Sequence, residues 1–342
     1  VQHLRMDAMS FGGFPPIRRI VPQDENALAA LLYTSGTSGR PKGVMLSEGN
    51  IRANIEQCCK WSGFNKSDSF LGLLPQFHSF GFTVTTMLPM SIGAKAIYSA
   101  RFNPRKTFDL LRKHRPTAML AIPSMFNAIL NTKSASAEDF ASIRIALSGG
   151  EALPDAVYEG FKDKLGLTIL EGYGLTETSP LATAQRPNEA EKCGTAGKPI
   201  PGVDVKIVDK NDNETPQGER GEIVIRGHNI MKGYYRNAEA TDEAMRNGWF
   251  HSGDIGYIDE GGNVFIVDRT KDMILRGGYN VYPREVEEVL YAHPAVMEAI
   301  VIGIPHERYG EEIKAVVAFK PGQQASPEEI ITFCKKHLAA YK

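Results

Sequence analysis

The stretch YTSGTSGRPKGV, residues 33–44, gathers glycines, hydroxyl side chains and two cations between two apolar runs. A phosphate is held by backbone N–H groups turned inward, with a cation close by. Gly36, Gly39 and Gly43 permit the backbone conformations of such a nest. Thr34, Ser35, Thr37 and Ser38 add hydroxyl donors, and Lys42 adds charge. The spacing is not that of a Walker A loop, G-x-x-x-x-G-K-[ST]. Pro41 precedes the lysine and Gly43 follows it, so no Ser or Thr stands where that loop places its magnesium ligand. This argues against a P-loop hydrolase.

Four further stretches have the composition of a ligand site. SGGEAL (148–153) places Gly149 and Gly150 where a backbone can approach a flat ligand, although alone it reads equally well as a plain strand-to-helix turn. EGYGLTETSP (171–180) combines glycines, an aromatic ring and a carboxylate. LPQFHSFG (74–81) sets His78 among phenylalanines, a setting that a packed core histidine also has. GWFHSGDIG (248–256) sets Asp254 after a glycine, which a simple β-turn also explains.

The elements that must position these stretches follow from periodicity. ALAALLY reads as a buried strand entering the Gly-rich loop, and SEGNIRANIEQCCKW as a helix capped by Ser47. NPRKTFDLLRKHR reads as a helix with Asn103 as cap and Pro104 in its first turn. Its Phe108 and Leu111 share a face. TAMLAIPS is a strand, SMFNAIL a helix, IRIALSGG a strand, LPDAVYEGFKDKLG a helix and LTILEGYG a strand. Alternation of this kind predicts an open α/β sheet, whose ligands bind outside the carboxyl ends of the strands. After Gly194 the texture changes to VDVKIVD, GEIVIRG and GNVFIVD, short strands that predict a small antiparallel or barrel-like unit. From about Met273 a helix, two strands and a final helix predict a smaller α+β domain. Ser326 and Glu329 there form a capping box, with Pro327 at the first helical position.

Composition narrows the class. The chain has 342 residues, 42% hydrophobic and 23% charged, with a formal net charge of −1. Those are the values of a globular protein without a broad basic surface for nucleic acid. No apolar run approaches the ~20 residues of a membrane span. The first residues lack the apolar stretch of a signal peptide. Cys58, Cys59, Cys193 and Cys334 show no CxxC spacing, and the eight histidines no HExxH pattern. Cys58 and Cys59 read as packing residues, and a reducing cytoplasm suits this usage.

Taken together and in their order along the chain, the stretches resemble the signatures of the adenylate-forming (acyl-CoA synthetase, AMP-binding) enzymes, over residues 31–342. Within that family the texture of LPQFHSFGFTVTTMLPMSIGAK and AMLAIPSMFNAIL is similar to fatty acyl-CoA ligases. The resemblance implies an α/β fold: a large domain of layered αβαβα sheets with a small β-barrel subdomain, and a small α+β C-terminal domain. The implied bounds are 1–267 for the large domain, with its β-rich subdomain at about 195–267. The hinge is 268–272 and the mobile small domain 273–342.

It also implies roles. The 33–44 loop grips the β- and γ-phosphates of ATP, through Thr34, Ser35, Gly36, Thr37, Ser38, Gly39 and Lys42. Gly149, Gly150 and Glu151 border the adenine and acyl end. Gly172, Tyr173 and Gly174 flank the adenine, Thr176 touches the α-phosphate, and Glu177 holds Mg²⁺. His78 orients the acyl group. Asp254 binds the ribose hydroxyls and Arg269 reaches ribose or phosphate. Lys271 is the hinge. Gly277 and Gly278 line a tunnel for coenzyme A once the small domain has turned. An aromatic face suits a purine, and Mg²⁺ takes a carboxylate oxygen plus substrate phosphates, so the chemistry agrees.

The implied reaction activates a carboxylic acid, a medium- or long-chain fatty acid, as acyl-AMP and transfers it to coenzyme A. Acyl carrier protein is the alternative acceptor. A peripheral contact with a membrane is left open by a fatty substrate. Two departures bear on this. Only thirty residues precede Leu31, where the family has a long stretch, and a second family lysine near the C-terminus has no counterpart, since Lys342 belongs to the preceding helix end. The expectation is a chain truncated at both ends. Taken as literally complete, it would be an adenylate-binding module with impaired ATP–pyrophosphate exchange.

Overall fold

A computed structural model describes residues 24–34, 41–133, 135–187, 189, 194–269 and 272–342. β1 (Leu28–Thr34) and β2 (Lys42–Ser47) form an antiparallel pair, joined by the short strand Gly233–Tyr234 into a separate three-stranded sheet. This corrects the expectation of a buried strand in the α/β alternation: Leu28 is 50% and Tyr33 65% exposed. A parallel crossover needs about a dozen residues or more. The seven residues 35–41 between β1 and β2 suffice for an antiparallel return only.

α1 (Glu48–Ser62) starts where local chemistry demands. Asn50 N–H donates to Ser47 Oγ at 3.1 Å and Ser47 N–H to Asn50 Oδ1 at 2.9 Å, so two orphan donors are satisfied reciprocally. Gly63, at φ 68°, ends the helix in the left-handed region.

The central sheet contains β3 (Ser69–Gly72), β4 (Lys95–Tyr98), β5 (Ala118–Ala121), β6 (Ile145–Ser148), β7 (Ile169–Gly174), β8 (Leu181–Ala184) and β9 (Lys198–Pro199). Its order is β4-β3-β5-β6-β7-β8-β9; the first five are parallel, and β8 pairs antiparallel with both β7 and β9. Between β3 and β4 lie α2 (Ser79–Phe82), a π-turn (Thr83–Met87) and α3 (Leu88–Ile92). The crossovers that follow carry α4 (Pro104–His114), α5 (Pro123–Leu130), α6 (Ala137–Phe140) and α7 (Asp155–Leu165). Asn103 caps α4, its side chain accepting from Lys106 N–H at 3.1 Å.

The parallel strands are buried on both faces, which explains their nearly continuous apolar sequences. Phe70, Leu120, Leu147 and Leu170 join the core shared with α1. Their strand neighbours Leu71, Met119, Ala146 and Ile169 join a second core with Phe108, Leu111, Phe126, Ile129 and Phe161. Cys58 lies in the first core, as a packing residue.

β10 (Val203–Val208), β11 (Gly221–Gly227), β13 (Met245–Arg246), β14 (Trp249–Ile258) and β15 (Val264–Arg269) form an antiparallel five-stranded sheet. The strand Gly233–Tyr234 is β12, and α8 (Ala238–Ala244) follows it. The last sheet has the order β17-β16-β19-β18, built from β16 (Ile274–Arg276), β17 (Tyr279–Val281), β18 (Val296–His306) and β19 (Gly310–Phe319). With α9 (Pro283–Tyr291) and α10 (Pro327–His337) it encloses a third core. The capping box at Ser326 and Glu329 is present.

One buried carboxylate ties three parallel strands together at their amino ends. Asp68, before β3, accepts from Arg144 Nε at 2.9 Å and Nη2 at 2.7 Å, from Thr117 Oγ1 at 2.7 Å and from Asn65 N–H at 3.0 Å. Burial by itself would raise its pKa, but the hydrogen bonds from Arg144, Asn65 and Thr117 together hold it below the usual carboxylate range. Arg144→Ala is expected to cost about 1–3 kcal/mol in urea unfolding, held to that range because the guanidinium is partly solvated. A depressed folded pKa contributes stability above the unfolded value of about 3.9 and loses it on further acidification. The difference between wild type and variant should therefore shrink below about pH 4.

Candidate functional site

In the order β4-β3-β5 the chain leaves β3 on one side and returns on the other, a topological switch point. A pocket of about 710 Å³ opens at the carboxyl ends of β3, β6 and β7. His78, Ser79 and Phe80 follow β3; Ser148, Gly149 and Gly150 end β6; Gly172, Gly174, Thr176 and Glu177 end β7. Thr34 and Lys42 enter from the three-stranded sheet, and Asp254 and Arg269 from β14 and β15.

Glu177 is buried and accepts from Tyr234 Oη at 2.9 Å. Burial raises its pKa, against the opposing pull of its own backbone and of Tyr234. Lys42 Nζ lies 4.9 Å from the centroid of the same Tyr234 ring. Thr176 Oγ1 and Ser79 Oγ are 3.1 Å apart, so a hydroxyl pair joins the β7 turn to α2. Among the described residues no cluster of three His, Cys, Asp or Glu could hold a metal. One buried carboxylate with lone pairs to spare suits Mg²⁺ that is held mainly by substrate phosphates, and not a resident ion in a protein cage.

Asp254, which lines the same pocket, is buried. Its Oδ2 accepts from Tyr173 Oη at 2.6 Å, and Arg269 Nε lies 3.2 Å from Oδ1. Burial first, then the Asp254 charge, drives the Tyr173 phenol well above its usual pKa, so it stays a donor. The turn that carries Asp254 is held from behind. Gly253 N–H donates to Glu222 Oε1 at 3.0 Å, and Asp254 N–H donates to Ser252 Oγ at 3.1 Å.

The β7 turn needs its glycine. A Cβ on Gly174 would come 2.0 Å from the Pro180 carbonyl oxygen, so the backbone passes where no side chain fits. At the rim, Phe80 N–H donates to His78 Nδ1 at 3.3 Å, which selects the neutral tautomer with its proton on Nε2. The side chain is solvent-accessible, yet the protein around it pulls the imidazole below its usual pKa.

Some residues singled out from sequence do not line this pocket. Tyr173 is tied to it through its hydroxyl, which donates to the lining residue Asp254. Glu151 is exposed, where partial burial and then the charge of Glu298 raise its pKa. Gly277 and Gly278, at φ 59° and 86°, form the β16–β17 turn, and Gly277 N–H donates to the Tyr309 carbonyl at 2.8 Å. Ser35, Gly36, Thr37, Ser38, Gly39 and Lys271 lie outside the described residues. Sequence reasoning missed Tyr234, Ser79 and Ser252. Tyr234 sits in MKGYY, where no spacing distinguishes it from a packing aromatic.

The fold and the site together define a class. The profile described as "AMP-binding enzyme" matches residues 6–235, and "AMP-binding enzyme C-terminal domain" matches residues 285–342. The chain belongs to the AMP-binding enzyme family. It is 40% identical over 321 residues to a long-chain-fatty-acid–CoA ligase of Bacillus subtilis (strain 168), covering 93% of this chain and 57% of that protein. It is 37% identical to a feruloyl-CoA synthase of Amycolatopsis sp, covering 94% of this chain and 66% of that one. ATP-bound MatB from Rhodopseudomonas palustris superposes with a TM-score of 0.89 at 34% identity, over 94% of this chain and 64% of that structure. O-succinylbenzoate coenzyme A synthetase (MenE) from Bacillus subtilis, in complex with ATP and magnesium ion, gives 0.83 at 34%, over 93% and 65%. The chain thus spans somewhat more than half the length of the Bacillus subtilis ligase and about two thirds of the others.

Beside the pocket, Glu171 of β7 is buried. Burial drives its pKa up to about 7, against the pull of Arg284 and of the Leu153 and Gly194 N–H groups at 3.3 and 3.2 Å. A raised folded pKa means that the unfolded chain ionises first, from about pH 4.3. Stability contributed by this group is therefore present below that pH and lost as pH rises toward 7. Thermal unfolding of Glu171→Gln should show a flatter dependence between those values than wild type.

Proposed function

We propose that the chain carries the adenylation site of an AMP-forming acid–thiol ligase acting on a carboxylic acid, ATP and coenzyme A. The observation that carries this reading is that one pocket gathers two sets of groups. Lys42, Thr176 and Glu177 suit phosphates and their cation. Asp254 and Arg269 suit ribose hydroxyls.

In the first half-reaction a substrate carboxylate oxygen attacks the α-phosphorus of ATP. The bond from that phosphorus to the bridging oxygen of pyrophosphate breaks, and pyrophosphate leaves with the electron pair. Positioning and charge neutralisation account for most of such catalysis. Lys42 neutralises the departing pyrophosphate, a role that the family resemblance extends to the loop hydroxyls and glycines 34–39. Thr176, held by Ser79, donates toward the α-phosphate. Glu177 would hold a magnesium ion, which when bound would neutralise charge on the transferring phosphates. The neutral His78, with Nε2–H as donor, orients the acyl carboxylate. In the second half-reaction the thiol sulfur attacks the acyl carbonyl carbon. The bond to the AMP oxygen breaks, AMP leaves with the pair, and the thiol proton passes to solvent. Gly277 and Gly278 would approach the pocket only after the small domain turns about residues 268–272, with Lys271 among them, between 1–267 and 273–342.

A fatty acid is the proposed substrate, supported by 40% identity to the Bacillus subtilis ligase and by the apolar Phe77, Phe80, Leu147 and Leu175 along the pocket. Similarity to feruloyl-CoA and o-succinylbenzoate enzymes makes aromatic acids the competing class. Incubation with MgATP, coenzyme A and a panel of fatty and aromatic acids should release AMP and pyrophosphate and form a thioester fastest with a fatty acid. Replacing coenzyme A by acyl carrier protein tests the other acceptor. Release of ADP and inorganic phosphate would overturn the ligase reading. Glu177→Gln should lower adenylation about 10²–10³-fold with an unchanged circular dichroism spectrum.

A further inference from the structure

Lys42 and Glu177 bring opposite charges into one sheltered pocket, where weak screening would draw them into an ion pair. Such a pair would silence both groups toward a nucleotide. Among the described residues none forms between them; both instead meet Tyr234. Its hydroxyl donates to Glu177 Oε1 at 2.9 Å, a charge-assisted bond, while Lys42 Nζ lies 4.9 Å from its ring centroid, within cation–π range.

Tyr234 is only 8% exposed, and its backbone is fixed from several sides. It pairs with Val44 of β2, two residues beyond Lys42. Its N–H donates to Thr241 Oγ1 at 2.9 Å. Three residues upstream, Met231 N–H donates to the Glu177 carbonyl at 2.8 Å. Gly233 makes this approach possible: its φ is +135°, and a Cβ there would lie 2.6 Å from Thr241 Cγ2. One short strand therefore joins the lysine strand to the glutamate turn and sets one ring against both side chains.

We propose that Tyr234 is a positioning residue that keeps the two charges of the site apart. The hydroxyl orients the Glu177 carboxylate, and the ring carries the Lys42 ammonium, so both stay available to the phosphates and their divalent cation. This rests on the MgATP reading above.

The test uses the full 342-residue chain. Mn²⁺ binding is followed by electron paramagnetic resonance in the presence of a non-hydrolysable ATP analogue, and analogue binding without metal by calorimetry. Tyr234→Phe removes the hydroxyl and keeps the ring. It should weaken Mn²⁺ binding about tenfold, the scale for groups that orient a metal ligand, and leave metal-free binding within about twofold. Tyr234→Leu removes both contacts and should weaken both measurements. If Tyr234→Leu does not fold, Tyr234→Phe decides alone. A folded Tyr234→Phe with wild-type Mn²⁺ binding would overturn the proposal, as would one that loses metal-free binding as much as metal binding. A wild-type chain that binds no metal–nucleotide would overturn the MgATP reading itself, which separates the two failures.

Discussion

Parallel strands buried on both faces leave nowhere along their length for a solvated polar group. Chemistry can leave such a sheet only at its ends. Here β3, β5, β6 and β7 send alternate side chains into two apolar cores, so the ligand-facing groups of the sheet sit at or just beyond the carboxyl ends of β3, β6 and β7. At the amino ends the Asp68–Arg144–Thr117 cluster holds the strands in place. At the carboxyl ends glycines and hydroxyl residues replace apolar ones, and the pocket opens there.

The central sheet alone supplies the pocket floor, with backbone, hydroxyls and one buried carboxylate. Cations and the second buried carboxylate come from outside it. The sheet β1-β2-β12 brings Lys42 and Tyr234, and β14 and β15 bring Asp254 and Arg269. Each imported charge meets a partner that limits its freedom: Tyr234 for Lys42, and the Tyr173 hydroxyl with Arg269 for Asp254. A site assembled from three sheets depends on how they dock. That is consistent with its buried hydrogen bonds spanning long separations in the chain.

Much of the fold was legible because its causes are local. Ser47, Asn103 and Ser326 announce helix starts by satisfying N–H groups within four residues of themselves. Short apolar runs alternating with helical periodicity, with glycines at the ends of β6 and β7, announced the α/β unit from β5 to β7. The failure at β1 has an equally physical cause. An apolar run of seven residues is compatible with a two-faced parallel strand or with an edge hairpin, and what covers it decides. Glu151 is adjacent in sequence to two pocket glycines, yet it is exposed outside the pocket, because a turn leaving a strand end soon carries the chain away from it.

The sequence by itself determined which chemical groups this protein could use and roughly which loops carry them, since glycine, proline, capping residues and apolar periodicity act over a few residues. The tertiary structure decided which of those groups meet. The hydrogen bond between Tyr234 and Glu177 spans 57 residues, and that between Tyr173 and Asp254 spans 81. No local rule reaches so far. Such contacts exist because hydrophobic burial holds the sheets together, and the charges carried out of water with them need partners there.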